Sequence, residues 1–349
     1  MSFRVNYSTI LNDRMKKIYP VVSPKMVDEF SKYSTKIEWN QYQHTTSGVT
    51  GLGMGQVIAD GAVPASDAPI QGYTKTFTQA IFTQRIRITK QAFYYLFQAK
   101  DAKKIDALIK AKVLSLKDSI QLLQNYYAQS ILANGWATSF TFTPIGGFQG
   151  SVTVDTTGAD GVAYWSASHP REDGGTAWSN IVSSGTANPV FSFTALLAAR
   201  GQQADKKDGR GLPLVGTKLD TFTFQDQSTA FFLATTLKKT LESGKYPSAT
   251  PGTTGTFVDG NPTESFEVIG LTRFGSSGTG VTSIMWFGFD SAMKNEDYGF
   301  KYIESMPLDI SPFMEDFSGN MDQISTATLY CQFGASDLRG FMASNGLAS

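Results

Sequence analysis

Between Asp101 and Ala133, the residues Ile105, Ile109, Val113, Leu116, Ile120, Leu123, Tyr127 and Ile131 recur at steps of three and four. That spacing lines apolar side chains along one side of an α-helix. Lys103, Lys104, Lys110, Lys112, Lys117 and Gln124 fall mostly off the stripe, Asp101 suits the N-cap, and Asn134-Gly135 supplies the stop. At about 1.5 Å per residue the helix spans about 50 Å, more than the width of a small domain. A helix this long with one apolar side needs a sheet laid along it, so the spacing predicts a spine over 101–133. A coiled coil fits less well, because heptad spacing holds only from Ile109 to Tyr127.

The stretch before the spine has the opposite character. From His44 to Gly72, the glycines Gly48, Gly51, Gly53, Gly55, Gly61 and Gly72, with Pro64 and Pro69, break every regular pattern. A run of about 28 residues without a core is long for a compact domain and marks a functional segment. Tyr73 to Thr89 then alternates, most cleanly at Arg85-Ile86-Arg87-Ile88-Thr89, as a half-exposed strand does. Together these stretches predict an extended excursion whose packing partner is another molecule. Upstream, residues 8–33 read as helical, with Ser23-Pro24 as an N-cap and N1 pair. An ordinary amphipathic arm and a partner-binding arm fit that segment equally.

A chain of 349 residues exceeds the usual size of a single core, so two sub-domains are expected. Phe140, Phe142 and Phe148 mark short strands, and Ser192 caps a helix carrying Leu196, Leu197 and Ala198. Leu219 to Leu237 reads as a strand and then a helix capped by Asp226 or Ser228 and ended by Gly244; Ser265–Leu271 reads as a strand. Residues 283–333 read as strands again, with Ala327, Leu329, Cys331 and Phe333 on one face and Thr326, Thr328 and Tyr330 on the other. The order of elements makes the class α+β.

Composition excludes several roles. The 30 basic and 30 acidic residues cancel, which gives no support for a dedicated nucleic-acid binder. Cys331 is the only cysteine, so an intrachain disulfide is impossible, and its place in an alternating strand predicts a small buried residue. Met1-Ser2-Phe3-Arg4 lacks the apolar run of a signal peptide, and no stretch approaches the roughly 18 apolar residues of a membrane span. Synthesis as a soluble chain in a reducing cytoplasm is the expectation.

A search for catalytic chemistry returns no constellation. The only histidines are His44, expected to be solvated, and His169, expected to be a structural turn residue beside Arg171-Glu172-Asp173. No G-x-S-x-G elbow accompanies either. A zinc site needs more Cys or His than the chain has. The spacing Gly51-x-Gly53-x-Gly55 is wrong for a dinucleotide loop, and there is no phosphate-cradling P-loop motif. Glu315-Asp316 and Glu296-Asp297 are adjacent pairs, poorly placed for acid–base work on strands. Lys206-Lys207 with Arg210 could touch DNA, but a solvated loop is the preferred reading. The expectation is therefore no enzyme, no cofactor and no metal.

The tail, Phe333-Gly334-Ala335-Ser336-Asp337-Leu338-Arg339-Gly340, is the third of three informative blocks. The first is Ala167-Ser168-His169-Pro170 followed by Gly174-Gly175 and Ser179-Asn180, and the second is Leu219 to Leu237. With the order arm, glycine-rich loop, strand and spine, these blocks resemble the major capsid (major head) proteins of tailed phages. Those proteins have the fold named after phage Hong Kong 97, and the likeness is strongest to the Mu-like head subunits. Leu338 departs from the pattern, since relatives commonly carry an aromatic residue there.

The resemblance implies an N-terminal arm at 1–44, an extended loop at 45–90 and a peripheral domain at 91–189 built on the spine. It further implies an axial domain at 190–290, and returning peripheral strands with the C-terminus at 291–349. It assigns assembly roles to Gly48, Gly51, Gly53, Gly55, Gly61, Arg85 and Arg87. Motif roles fall to His169, Pro170, Asn180, Gly334, Asp337, Arg339 and Gly340. The implied partners are the chain itself in pentamers and hexamers, a separate scaffolding protein, portal and decoration proteins, and packaged double-stranded DNA held non-specifically, with no membrane. The implied location is the virion, with assembly in the host cytoplasm. The alternatives are another ring-forming virion protein (tail tube or connector) and a cytosolic hydrolase with scattered acids.

Overall fold

The computed structural model describes residues 12, 13, 15, 16, 28–49, 51–58, 60, 62–98, 102–146, 150–214, 217–242, 245–247, 257–259, 266–272, 284–295, 298–316 and 322–347. The spine forms over the expected span. A short helix α1 (Lys90–Gln98) leads to α2 (Ala102–Asn134), and Ile109, Val113, Leu116, Ile120, Tyr127 and Ile131 are all buried along one side. The expected cap Asp101 and the tail of the stripe at Ile105 lie outside the described side chains.

The stripe packs on a five-stranded sheet. Its strands are β1 (Ser34–Glu38), β4 (Ala80–Ile88), β12 (Phe300–Ile310), β13 (Met314–Glu315) and β14 (Gln323–Ala335). β14 is central, with β4 antiparallel on one side and β12 and β13 antiparallel on the other; β1 adds parallel to β12. Ala327, Leu329, Cys331 and Phe333 are buried, and Thr326, Thr328 and Tyr330 are half-buried, as the alternation predicts. β12 breaks register between Glu304 and Asp309, where Pro307 has no N–H to give the ladder.

A second, four-stranded sheet runs β10 (Glu267–Leu271), β7 (Thr221–Gln225), β11 (Trp286–Phe289), β15 (Phe341–Ser344). Phe222, Phe224, Trp286 and Met342 face a core shared with α3 (Phe193–Ala204) and α4 (Thr229–Glu242). On the opposite face Leu271, Phe287, Phe289, Phe341 and Ala343 join the spine's core. Ser192 caps α3 through Ala195 N–H, and Ser228 rather than Asp226 caps α4 through Phe231 N–H. Within the spine's core, Trp165 ties the spine to both sheets. Its indole donates to Leu132 O at 2.7 Å, while its ring meets Phe287 at 5.1 Å and Phe300 at 5.8 Å.

Three expectations shift. The helical reading of 8–33 holds at Asn12, Asp13, Met15 and Lys16, which are helical, and fails at 28–33, where Phe30–Lys32 is a single 3-10 turn followed by β1. That segment is docked in the body. Glu29 accepts from Gln129 Nε2 on the spine at 2.6 Å and from Thr272 Oγ1 beyond β10 at 2.6 Å. β4, expected within the loop, belongs to the main sheet because its buried residues Phe82 and Ile88 pack on the spine's core. β15, expected among returning peripheral strands, closes the second sheet because Met342 completes that core. The smaller strand pairs are β2 (Gln43–Val49) with β3 (Gln71–Thr78), β5 (Ser139–Phe142) with β6 (Val152–Asp155), and β8 (Lys245–Pro247) with β9 (Phe257–Asp259).

Candidate functional site

Two neighbouring features gather the residues singled out from sequence. The first is a buried polar seam. His169 and Trp178 exchange backbone hydrogen bonds, and their rings stack with centroids 4.3 Å apart. His169 Nδ1 lies 2.7 Å from Asp160 Oδ2; a carboxylate only accepts, so Nδ1–H donates. Asp160, not the adjacent Glu172 or Asp173, is thus the acid that meets His169, because the turn at 158–161 folds back beneath it.

Lys206 Nζ and the Arg339 guanidinium also lie over the Trp178 ring, 5.2 and 5.6 Å from its centroid. Arg339 bonds Glu172 at 2.7 Å and Asp337 at 3.2 Å. Lys206 donates to the carbonyls of Arg339 and Phe341 at 2.9 and 2.7 Å. Burial drives the Lys206 ammonium well below its ordinary pKa and pushes the Asp337 carboxyl up, with Arg339 opposing the latter shift. The expected solvated loop at 206–211 is therefore wrong at Lys206, which is buried and donates to the carbonyls of Arg339 and of Phe341 at the start of β15.

The other motif residues hold this seam together. Asn180 is fully buried; its amide donates to Tyr164 O at 2.5 Å and accepts from Ser166 N at 2.9 Å, while its carbonyl accepts from Ala343 N. A side chain at Gly334 would place Cβ 2.8 Å from Tyr164 Oη, and at Gly340 2.7 Å from Tyr298 O. Only glycine permits these close approaches. Pro170 is exposed and lines, with His169, Glu172, Asp337 and Arg339, a cavity of about 180 Å³. Leu338 is buried in the spine's core despite its smaller side chain. His169 Nε2 and Arg339 Nε have no hydrogen-bond partner among the described residues, and no nucleophile lies within hydrogen-bond reach of Nε2 there.

The second feature is the hairpin β2–β3 and the excursion at its tip. Gln56 and Ala65 exchange side-chain-to-backbone bonds across the excursion at 2.9 and 3.0 Å. Gly53 N–H donates to Asp67 at 2.7 Å, and Arg210 grips Asp67 at 2.5 and 3.0 Å. Arg210 and the Gly53 amide hold the Asp67 carboxyl far below the usual carboxylate range. Apolar side chains on this excursion face solvent: Leu52 is 60%, Met54 72%, Val57 102% and Val63 91% exposed.

Gly48 faces Gly72 across the hairpin, while a Cβ at Gly51 or Gly55 would meet nothing; Gly61 lies outside the described residues. Arg85 and Arg87 lie on β4 rather than in the excursion, and Arg87 pairs with Asp316 and Asp322 of its own chain. His44 is half-buried, its ring 4.5 Å from Trp39, so it is not the solvated residue expected. Sequence reading missed Asp160, Trp178 and Glu172 as members of the seam. The one available signal was the Trp178-Ser179-Asn180 run beside the His-Pro block.

Among the described residues no group of three or more His, Cys, Asp or Glu could hold a metal. Burial pushes the Cys331 thiol up to about 12, as suits an inert core position. No described helix is long and apolar enough to cross a membrane.

No family model matches the sequence, and no curated protein matches it. Among solved structures, the chain is similar to one from Gordonia phage Cozz at 10% identity, covering 93% of this chain and 88% of that one with a TM-score of 0.49. It is similar to a chain of the capsid of cyanophage P-SCSP1u at 12% identity, 93% and 89% coverage and a TM-score of 0.49. A chain of the capsid of Myoviridae phage XM1 is similar at 10% identity, 94% coverage of each and a TM-score of 0.47.

Proposed function

We propose that the chain is a major capsid (major head) protein of a tailed phage, of the Mu-like type. In this reading it self-assembles through pentamers and hexamers into an icosahedral head around double-stranded DNA. The observation that carries the reading is the excursion at 51–70, where Leu52, Met54, Val57 and Val63 stand in solvent on a segment without a core. Each such side chain gains roughly 1.5–3 kcal/mol when fully buried. A second subunit supplies that burial, and repetition of the contact around closed axes builds a shell. The resemblance of the His-Pro block and the tail to head proteins points the same way.

The proposal makes this chain a counterpart of the capsid chains described above. It includes a separate scaffolding protein, a portal, decoration proteins and assembly in the host cytoplasm before residence in the virion. Catalysis has no part in it. Electron microscopy of negatively stained protein, expressed alone and with its neighbouring genes' products, tests the reading. Closed shells or rings of five and six are expected. A uniform small particle under every condition overturns it.

A further inference from the structure

The excursion has no core, yet its two described legs, 51–58 and 62–70, are fastened to each other. Gln56 makes one rung, giving to Ala65 O at 3.0 Å and taking from Ala65 N–H at 2.9 Å. Asp67 makes the other by accepting from Gly53 N–H at 2.7 Å, so the legs run antiparallel. No strand pairing is assigned across them among the described residues, and each rung hangs on one side chain.

Asp67 is also where the excursion meets the rest of its own subunit. Arg210, 143 positions away on the loop after α3, lays Nη1 and Nη2 on the Asp67 carboxylate at 2.5 and 3.0 Å. Its Nη2 bonds Ala68 O as well. The Arg210 side chain is 15% exposed, so it is lodged against the excursion and not free in solvent. The loop that carries it is rooted in turn. Lys206 is held by the tail, Lys207 pairs with Pro213, and Asp208 accepts from the N–H groups of Arg210 and Leu212 at 2.9 and 2.8 Å. A second tie lies at the foot of the excursion, where Tyr73 Oη donates to Arg171 O at 3.3 Å.

A solvent-facing ion pair adds little to the stability of a fold, and this one secures a segment that brings no core with it. What it supplies is order. A segment that becomes fixed only when it binds loses its conformational freedom at that moment, which weakens binding. A segment fixed beforehand binds more tightly through the same contacts. Leu52, Met54, Val57 and Val63 ride on the legs that these bonds hold, so their direction is set within the lone subunit.

We infer that Arg210 is a positioning residue for assembly: by clamping Asp67 it fixes the excursion on its own subunit, and a neighbour then buries a preformed apolar surface. The inference rests on the capsid reading and deepens it by naming the residue that presents the contact. Full-length wild-type protein, Arg210→Met, Asp67→Asn and the double variant are compared as free subunits and under assembly conditions. Thermolysin, which cuts beside large apolar residues, is expected to cleave within 51–70 of each free variant about tenfold faster, with the urea midpoint unchanged. By light scattering, the concentration needed for assembly is expected to rise about tenfold, the equivalent of roughly 1.4 kcal/mol per subunit. The two side chains act as one unit, so the double variant is expected to match the single ones.

Unchanged cleavage, or faster cleavage with an unchanged assembly threshold, overturns the inference. So do effects that multiply in the double variant, because the two residues then act separately. A lowered urea midpoint alongside lost assembly overturns it too, in favour of a role in the fold. Wild-type shells with no effect of the variants sink the clamp alone. Absence of shells and rings from wild-type protein under every condition sinks the capsid reading and the inference with it.

Discussion

Around Trp178, Lys206, Arg339, His169, Asp160, Glu172 and Asp337 lie in or beside the interior, whereas at the excursion Leu52, Met54, Val57 and Val63 stand in water. The usual distribution is reversed in both places, for different reasons. Each charge of the seam has its counter-charge or carbonyl within the same chain, so the seam can form in a lone subunit and fixes how the last strand docks. Among the described residues, nothing covers the excursion's apolar groups. One region completes the fold, and on the capsid reading the other is completed by a neighbour.

That contrast breaks most visibly when the excursion is removed. Replacing residues 51–70 by a short Gly-Ser link is expected to abolish large assemblies and leave the subunit's circular dichroism unchanged; loss of the folded signal would show that the excursion serves the fold after all. Next in size is Arg339→Ala, which strands Glu172 and Asp337 without their cation. Breaking a buried pair in this way costs about 3–5 kcal/mol, read as a lower urea midpoint. Gly340→Ala pushes a methyl against Tyr298 O and is expected to cost about 1–3 kcal/mol by the same assay. A neutral result there would mean that the backbone at the tail yields easily.

The paired change Val57→Ser and Val63→Ser sharpens the comparison from the other side. Subunit stability should move by less than about 0.5 kcal/mol per site, while the concentration needed for assembly rises.

The smallest effect is electrostatic. Because burial depresses the Lys206 pKa below its ordinary 10.5, the unfolded chain holds the extra proton between the depressed value and 10.5. Subunit stability should therefore climb as pH rises through that window. Lys206→Met should flatten the climb, and an equal slope in both proteins would count against a buried ammonium.

What was legible in the sequence follows from how local each constraint is. The spine announced itself because Ile109 to Ile131 meet one continuous partner, so burial repeats with the helix period. β14 was legible for the same reason at period two. β1 was not, since its five residues become a strand only against β12, far away in sequence. Lys206 looked solvated because Lys207 and Asp208 beside it are charged, and its two carbonyl partners come from the tail. The seam as a whole has no period: Asp160, His169, Trp178, Lys206 and Arg339 share only a place in the folded chain. The motif residues around it were visible through resemblance, and their contacts were not.

The closure of the second sheet by β15 also sets a clock. β7, β10 and β11 leave the ribosome before Met342, which their core requires. At roughly 5–20 residues per second, the interval between β7 and β15 is on the order of ten seconds. Throughout that time the excursion has already been synthesised, with its valines and leucine bare, on a polysome crowded with identical nascent chains. On the capsid reading, a subunit whose second core still waits for β15 is not yet the finished unit that assembles. On that reading, the order of the chain sets part of the timing of assembly.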